Sequence, residues 1–225
     1  MIEVILDTET TGLSVEEGHR IVEIGCIELD NQIPTNKTFH AYINPQRKVS
    51  QKALDVHGYT DEFLENKKKF SEIVDNFLDF IKDKKLIMHN AQFDLSFLNQ
   101  ELRLVQKKTI NKSNVIDTLE IARQKYPGSQ NSLDALCKRF NIDNSRRVKH
   151  SAIVDCQLLK TVYINLLDQK EPKFNFDINN LDNKKTDEVF LKNNVYSKKI
   201  IKPSIKEIEQ HKIFLKENLK KNFYL

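Results

Sequence analysis

The apolar segments of this 225-residue chain follow an order that fits few folds. Three β-type runs come first, over residues 2–6, 21–29 and 38–44, and turn-forming residues separate the second from the third at 30–31 and 34–36. Two brief apolar strands follow later, over residues 86–88 and 115–116, among helical patterns. A meander followed by strand–helix alternation predicts an α/β fold with one mixed five-stranded sheet flanked by helices.

The helical patterns fill most of the chain between and after the late strands. Apolar residues recur at helical spacing and begin near capping residues or stop near Pro and Gly. We expect short helical pieces over 50–64 and longer helices over about 70–81, 93–105 and 117–125, a helix capped by Asn131 or Ser132, and one over about 151–167.

Two acids, Asp7 and Glu9, stand two residues apart at the end of the first strand. Side chains alternate across a strand, so both carboxylates project from one face. Carboxylates this close repel each other, and a divalent cation would neutralise them. The alternative is a strand end whose acids simply face water.

Two further segments carry acids into the openings of helices. Asp94 ends the sequence HNAQFD and Asp155 ends HSAIVD. Ligands of an open α/β sheet collect at the carboxyl ends of its strands, so we expect these acids to join the first pair. Four carboxylates form an oxygen-rich site that suits Mg²⁺ or Mn²⁺ better than Zn²⁺. His150, just ahead of the last of these helices, can take a proton from water near neutral pH.

These motifs, D-T-E-T-T-G, H-N-A-x-F-D and H-x-A-x-x-D in this order, resemble those of the DEDD nucleases of the histidine subclass. The resemblance implies a ribonuclease-H-like fold and removal of nucleotides from a 3′ end. It also implies two divalent cations, Mg²⁺ or Mn²⁺, held by Asp7, Glu9, Asp94 and Asp155, with His150 as the general base.

Further segments are similar to the proofreading ε-subunit family of bacterial DNA polymerase III. They include Val56-His57-Gly58, Tyr126-Pro127-Gly128 and the run from Asn131 to Cys137. The resemblance covers residues 1–168 and implies proofreading of mispaired DNA 3′ ends. Cys156 departs from the family's usual Ala, and Lys52 stands where the family often has an acid. The implied substrate-binding residues are Asp7, Glu9, Lys52, His57 and Asp155.

The C-terminal part of the chain has a different composition. Residues 169–200 are rich in Asn, Lys and Asp, which is typical of a flexible linker. Residues 169–174 faintly resemble a sliding-clamp-binding peptide, although Pro172 stands where that motif has Leu. We therefore expect residues 1–168 to be the exonuclease domain, 169–200 a linker and 201–225 a helix that binds a partner.

A capping box, with Ser204 as N-cap and Glu207 at the third helical position, opens that helix. Because an isolated helix of this length is marginal in water, it must dock on its own domain or on a partner. The family resemblance favours the polymerase III α subunit as the partner, and it allows a sliding clamp and a small accessory subunit as further partners. The apolar stripe of this helix comprises Ile205, Ile208, Leu215, Leu219 and Phe223.

Charge and composition exclude some classes of protein. The chain has a net charge of +4, but residues 170–225 alone carry 13 Lys and 8 acids, so residues 1–169 are slightly acidic. DNA contacts of that part must therefore be local and assisted by metal. No apolar run predicts a signal peptide or a membrane span, and we expect a cytoplasmic protein without a membrane partner.

The remaining cysteines and histidines carry no recognisable motif. Cys26, Cys137 and Cys156 are odd in number and sit among apolar neighbours, so we expect buried, reduced thiols. His19 and His40 are expected at the surface. Two alternatives stay open beside the proofreading enzyme: a stand-alone exonuclease that trims RNA or DNA, and a non-catalytic adaptor of the replicase.

Overall fold

A mixed sheet organises the N-terminal part of the protein. The computed structural model describes residues 1–145, 147, 149–167 and 203–218. Within these residues, five strands pair in the order β3-β2-β1-β4-β5. β1 is antiparallel to β2 and parallel to β4, which confirms the predicted mixed sheet. The strands are β1 (Ile2–Thr10), β2 (Ile21–Asp30), β3 (Ile33–Tyr42), β4 (Lys85–Met88) and β5 (Val115–Asp117).

Two strand boundaries differ from the prediction. β1 continues through the two acids, because residues 7–10 remain paired with β2. The chain reverses at Asn31 and Gln32, both of which have positive φ, so the predicted turn at 34–36 lies inside β3. Pro34 is tolerated there because β3 is an edge strand.

Helices cover both faces of the sheet, as the alternation of β1 requires. Val4 and Leu6 pack in one apolar cluster with the helices that begin at Phe70 and Ala91. Ile5 packs in a second cluster with the three helices that follow β5. The α-helices described before residue 168 are α1 (Gln51–His57), α2 (Asp61–Glu65), α3 (Phe70–Ile81), α4 (Ala91–Leu104), α5 (Thr118–Lys125), α6 (Leu133–Arg139) and α7 (Ala152–Leu166).

A last helix, α8 (Ile205–Asn218), belongs to a separate unit of the chain. Its predicted capping box is present: Ser204 N donates to Glu207 Oε2 at 2.7 Å, and Glu207 N donates to Ser204 Oγ at 3.3 Å. The predicted linker over 169–200 and the stripe residues Leu219 and Phe223 lie outside the described residues. The division at 168 and 201 therefore stays a prediction. Among the described helices, none is both long and apolar enough to cross a membrane.

Candidate active site

The central strand β1 presents Asp7 and Glu9 on the face that also carries Ile5. In the pairing with β2, Asp7 lies opposite Gly25 and Glu9 lies opposite Glu23. Because α7 packs on this face, the two carboxylates point toward the helix that carries Asp155.

Asp94 reaches the same strand from α4, on the other face of the sheet. The pairing of β1 with β4 ends at Ile5 and Ile87, so it does not extend to Thr8. Asp94 Oδ1 instead accepts hydrogen bonds from Thr8 N at 3.1 Å and Thr8 Oγ1 at 2.7 Å. The first turn of α4 therefore holds its acid against β1.

Asp155 lies one turn into α7, which approaches β2 closely. A Cβ atom on Gly25 would lie 2.6 Å from the carbonyl carbon of Ala152, so a larger residue there would push α7 away. The thiol of Cys156 is buried and donates to Gly25 O at 3.2 Å. Cys156 thus packs as a small residue, and α7 carries Asp155 to the edge of β1.

Arg147 is a cation of the site that sequence reasoning missed. Its guanidinium donates to both oxygens of Asp155, to Nδ1 of His150 at 2.8 Å and, through Nη1, pairs with Asp134 at 2.7 Å. Its side chain is only 8% exposed. The available signal was an arginine three residues before His150, beside a predicted cluster of acids.

The structure brings the five predicted catalytic and metal-binding residues to one cavity of about 770 Å³. Ligand atoms of Glu9, His150 and Asp155 all lie within 4.8 Å of one another. Because hard divalent cations prefer carboxylate oxygens, the acids of this cavity are suited to binding such an ion. The five residues on the cavity wall are Asp7, Glu9, Asp94, His150 and Asp155.

The charges of these acids are poorly compensated. Burial raises the pKa of Asp7 well above its ordinary value, and the charges of Asp94, Glu9 and Asp155 raise it further. Burial, followed by repulsion from Asp155, raises the pKa of Glu9 to about 8. Burial also raises the pKa of Asp94 to about 7. A divalent cation at this site would offset the repulsion that resists ionisation.

Asp155 differs from the other three acids. Burial alone would raise its pKa, but the nearby His150 ring and the Arg147 guanidinium outweigh burial and lower the pKa of Asp155. One acid of the cluster is therefore held ionised by the protein itself.

A second cavity of about 480 Å³ adjoins the first and shares Thr8, Glu9 and Phe93 with it. Lys52 and His57 line this second cavity. Lys52 is exposed, whereas the His57 side chain is buried and both its ring nitrogens are engaged. His57 Nδ1 accepts from Tyr59 N at 3.0 Å, and His57 Nε2 lies 3.2 Å from Thr10 O.

The predicted surface position of His19 is wrong. Its side chain is buried, and His19 Nδ1 lies 2.9 Å from the Thr11 hydroxyl. His40 is exposed, as predicted, and its Nε2 lies 2.7 Å from Glu23 Oε1. The sequence pattern predicted neither of these hydrogen bonds, because Thr11 is a turn residue and Glu23 lies on another strand. The three cysteines are free and buried, as predicted.

Comparison with solved structures supports the ribonuclease-H-like fold. The nuclease domain of 3′hExo, a DEDDh family member bound to rAMP, superposes with a TM-score of 0.65, 20% identity, and coverage of 77% of this chain and 96% of that one. Exonuclease X in complex with 5′ overhanging duplex DNA gives a TM-score of 0.58 at 23% identity, covering 74% and 92%.

Comparison of sequences is more specific. The model of the RNase T family, described as exonuclease, matches residues 4–163. DNA polymerase III subunit epsilon of Rickettsia conorii is 46% identical over 97% of this chain and 96% of its own length. The same subunit of Salmonella typhimurium is 46% identical over 72% of this chain and 70% of its own. The chain therefore belongs to the RNase T exonuclease family and, within it, to the ε subunits of bacterial DNA polymerase III.

Proposed function

We propose that this protein is a metal-dependent 3′ to 5′ exonuclease that proofreads mispaired DNA 3′ ends within the DNA polymerase III holoenzyme. One observation carries the proposal. Four acids from β1, α4 and α7 and one histidine, distant in sequence, line a single cavity. Family membership along nearly the whole chain supports the replicative role.

Asp7, Glu9, Asp94 and Asp155 are the proposed ligands of two divalent cations, Mg²⁺ or Mn²⁺. When bound, such ions activate a water molecule and stabilise the departing oxygen of a phosphodiester. The protein positions the four acids through the contacts of β1 with β2, α4 and α7. An adaptor without catalysis would gain nothing from burying these acids, since unneutralised buried carboxylates cost stability.

His150 is the proposed general base, and its surroundings define how it must act. A guanidinium can only donate, so His150 Nδ1 accepts from Arg147 and the ring proton is on Nε2. A neutral imidazole accepts a further proton at the nitrogen that lacks one. The Arg147 to Nδ1 hydrogen bond must therefore open before His150 takes a proton from water.

The second cavity is the proposed site of the terminal nucleotide. It joins the cavity of the acids through Glu9 and Phe93, and Lys52 and His57 lie on its wall. Asp7, Glu9 and Asp155 would meet the nucleotide from the metal side. Because both ring nitrogens of His57 bind the backbone, we propose that His57 contacts the nucleotide through its ring surface.

The polymerase III α subunit is the proposed partner of residues 201–225. The capped helix α8 presents Ile205 and Phe214 as exposed apolar side chains. A replicase partner implies a cytoplasmic location. Contact with a sliding clamp near Gln169 and binding of a small accessory subunit are proposed on family resemblance alone.

Digestion of matched and mismatched DNA 3′ ends tests the proofreading role. An unpaired end should be released faster, because a mismatch has already lost the pairing and stacking energy that fraying costs. A stand-alone trimming enzyme is the second candidate, since the structural neighbour 3′hExo was solved with rAMP. Equal rates on matched, mismatched and single-stranded DNA and on an RNA oligomer would favour that candidate.

A further inference from the structure

Glu23 lies near the start of β2, opposite Glu9, and is fully buried. A buried carboxylate is stable only when hydrogen-bond donors surround it. Four groups from three separate segments do so. His40 Nε2 lies 2.7 Å and Ser151 Oγ 2.9 Å from Oε1, while Tyr59 Oη lies 2.8 Å and Ala152 N 2.9 Å from Oε2.

One branch of this network caps α7 from outside the helix. Ser151 occupies the N-cap position but makes no side-chain capping bond of its own. Glu23 instead accepts the first free N–H of α7 and the Ser151 hydroxyl. A negative charge is also favourable at a helix N-terminus. Glu23 thereby fixes the turn that leads from His150 to Asp155.

The other branch leads to the second cavity. The Tyr59 hydroxyl donates to Glu23, and the Tyr59 ring stacks on His57 with centroids 4.8 Å apart and planes at 22°. The same tyrosine donates its N–H to His57. One carboxylate is thus connected to both histidines proposed to work on the substrate.

We propose that Glu23 is a positioning residue that sets the N-terminal end of α7 relative to β1, and so keeps Asp155 and Glu9 close enough to bind a metal, with His150 beside them. This inference rests on the proposed exonuclease function. Glu23 lies beside the cavity and does not line it in the described structure, so it acts through the residues that it holds. Loss of such a supporting contact typically weakens metal binding or activity by about 10- to 100-fold.

The test measures Mn²⁺ affinity by calorimetry, and kcat and KM on a single-stranded DNA oligomer, in the full-length chain. Glu23→Ala removes all four contacts. Glu23→Gln keeps one oxygen for Ala152 N–H and can turn its amide toward Ser151 and His40, which can accept. Glu3→Ala is the matched control, because Glu3 is another buried carboxylate of the sheet that accepts from α7, through Tyr163 Oη at 2.8 Å, but at the far end of the helix.

We expect Glu23→Ala to bind Mn²⁺ and to turn over DNA about 10- to 100-fold more weakly, while Glu3→Ala stays near wild type. Glu23→Gln should restore most of the Mn²⁺ affinity and most of the turnover of DNA. Each should stay about 2- to 5-fold below wild type because the charge is missing. If Glu23→Ala does not fold, that loss in Glu23→Gln decides the question, and wild-type values there overturn the proposal.

Equal losses in Glu3→Ala would also overturn the proposal, because they would indicate general loosening of α7. Wild-type protein that binds Mn²⁺ and degrades DNA, with an unchanged Glu23→Ala, would overturn this inference alone. Wild-type protein that does neither would overturn the proposed function and this inference with it.

Discussion

Arg147 holds Asp155 through two parallel hydrogen bonds, Nε to Oδ1 and Nη2 to Oδ2, each 2.6 Å long. Both side chains are buried, at 8% and 5% exposure. Planar two-point contacts of this kind fix geometry as well as charge. Asp155 is therefore already oriented toward the cavity by the protein.

Replacing Arg147 should destabilise the protein most in the absence of metal. Arg147→Ala leaves Asp155 buried without its cation, so we expect a lower melting temperature in EDTA. Mn²⁺ should restore more of the loss in this variant than it adds to wild type, because it supplies the missing charge. Arg147→Lys keeps the charge without the two-point contact, so its melting temperature should lie between those of wild type and Arg147→Ala. Scanning fluorimetry measures all three, and equal melting temperatures in EDTA would contradict the assignment.

Two acids of one cluster should have opposite effects on stability. Asp7→Ala relieves repulsion, because its pKa is raised by burial and by the other acids, so the melting temperature in EDTA should rise. Asp155→Ala breaks a buried ion pair and should lower it by at least about 3 °C, or about 1 kcal/mol for a domain of this size. If both variants change the melting temperature in the same direction, the charges of Asp7 and Asp155 are not compensated differently by the protein.

The contribution of Glu9 and Asp94 to the stability of metal-free protein should fall as pH rises from about 5 to about 8. Glu9 and Asp94 have folded-state pKa values of about 8 and about 7, above those of an unfolded chain. The folded state therefore binds more protons over this range, and raising the pH favours unfolding. Added Mg²⁺ should stabilise increasingly over the same range, because the ion replaces those protons.

Glu9→Gln is the control for this pH dependence, because it removes one carboxyl with a raised pKa and keeps His57 and His89, whose pKa values burial lowers. In EDTA, the stability of Glu9→Gln should fall less steeply with rising pH than the stability of wild type. Identical profiles for the two proteins would show that Glu9 does not carry the raised pKa.

Local sequence patterns predicted the type of most helices and strands, and they predicted which acids meet at one site. Alternation and helical spacing predicted the mixed sheet, and the order of three motifs predicted that Asp7, Asp94 and Asp155 converge. The sheet order and the end of β1 could not be read this way, because strand pairing with β2 keeps residues 7–10 extended.

The hydrogen bonds of Glu23 and Arg147 could not be predicted from the sequence, for a different reason. Glu23 reads as one more acid in an apolar strand, yet its partners lie as far as 129 residues away. The partners of Arg147 include Asp134 and Asp155, which only the packed fold brings to one point. Such contacts depend on tertiary packing, which carries no short-range pattern.

The C-terminal helix should be needed for binding the polymerase subunit but not for cleavage of DNA. Deleting residues 201–225 should leave cleavage of short oligomers nearly unchanged and abolish co-purification with the polymerase subunit. Leu215→Asp should weaken that co-purification, because an unpaired carboxylate in an apolar groove is costly. Gln210→Asp adds the same charge at an exposed position of α8 and should have little effect. If the truncated protein binds the polymerase subunit normally, residues 201–225 are not the binding segment.

The most direct test of the metal-dependent exonuclease activity is the single-turnover release of nucleotides from 5′-labelled DNA in Mg²⁺. Wild-type protein should shorten the strand stepwise from its 3′ end and stop in EDTA. Asp7→Ala should lose about 10³-fold in rate, the equivalent of several kcal/mol of transition-state stabilisation. His150→Ala should lose roughly 10²- to 10⁴-fold while Mn²⁺ binding is largely kept. Undiminished cleavage in EDTA, or by Asp7→Ala, would contradict the account.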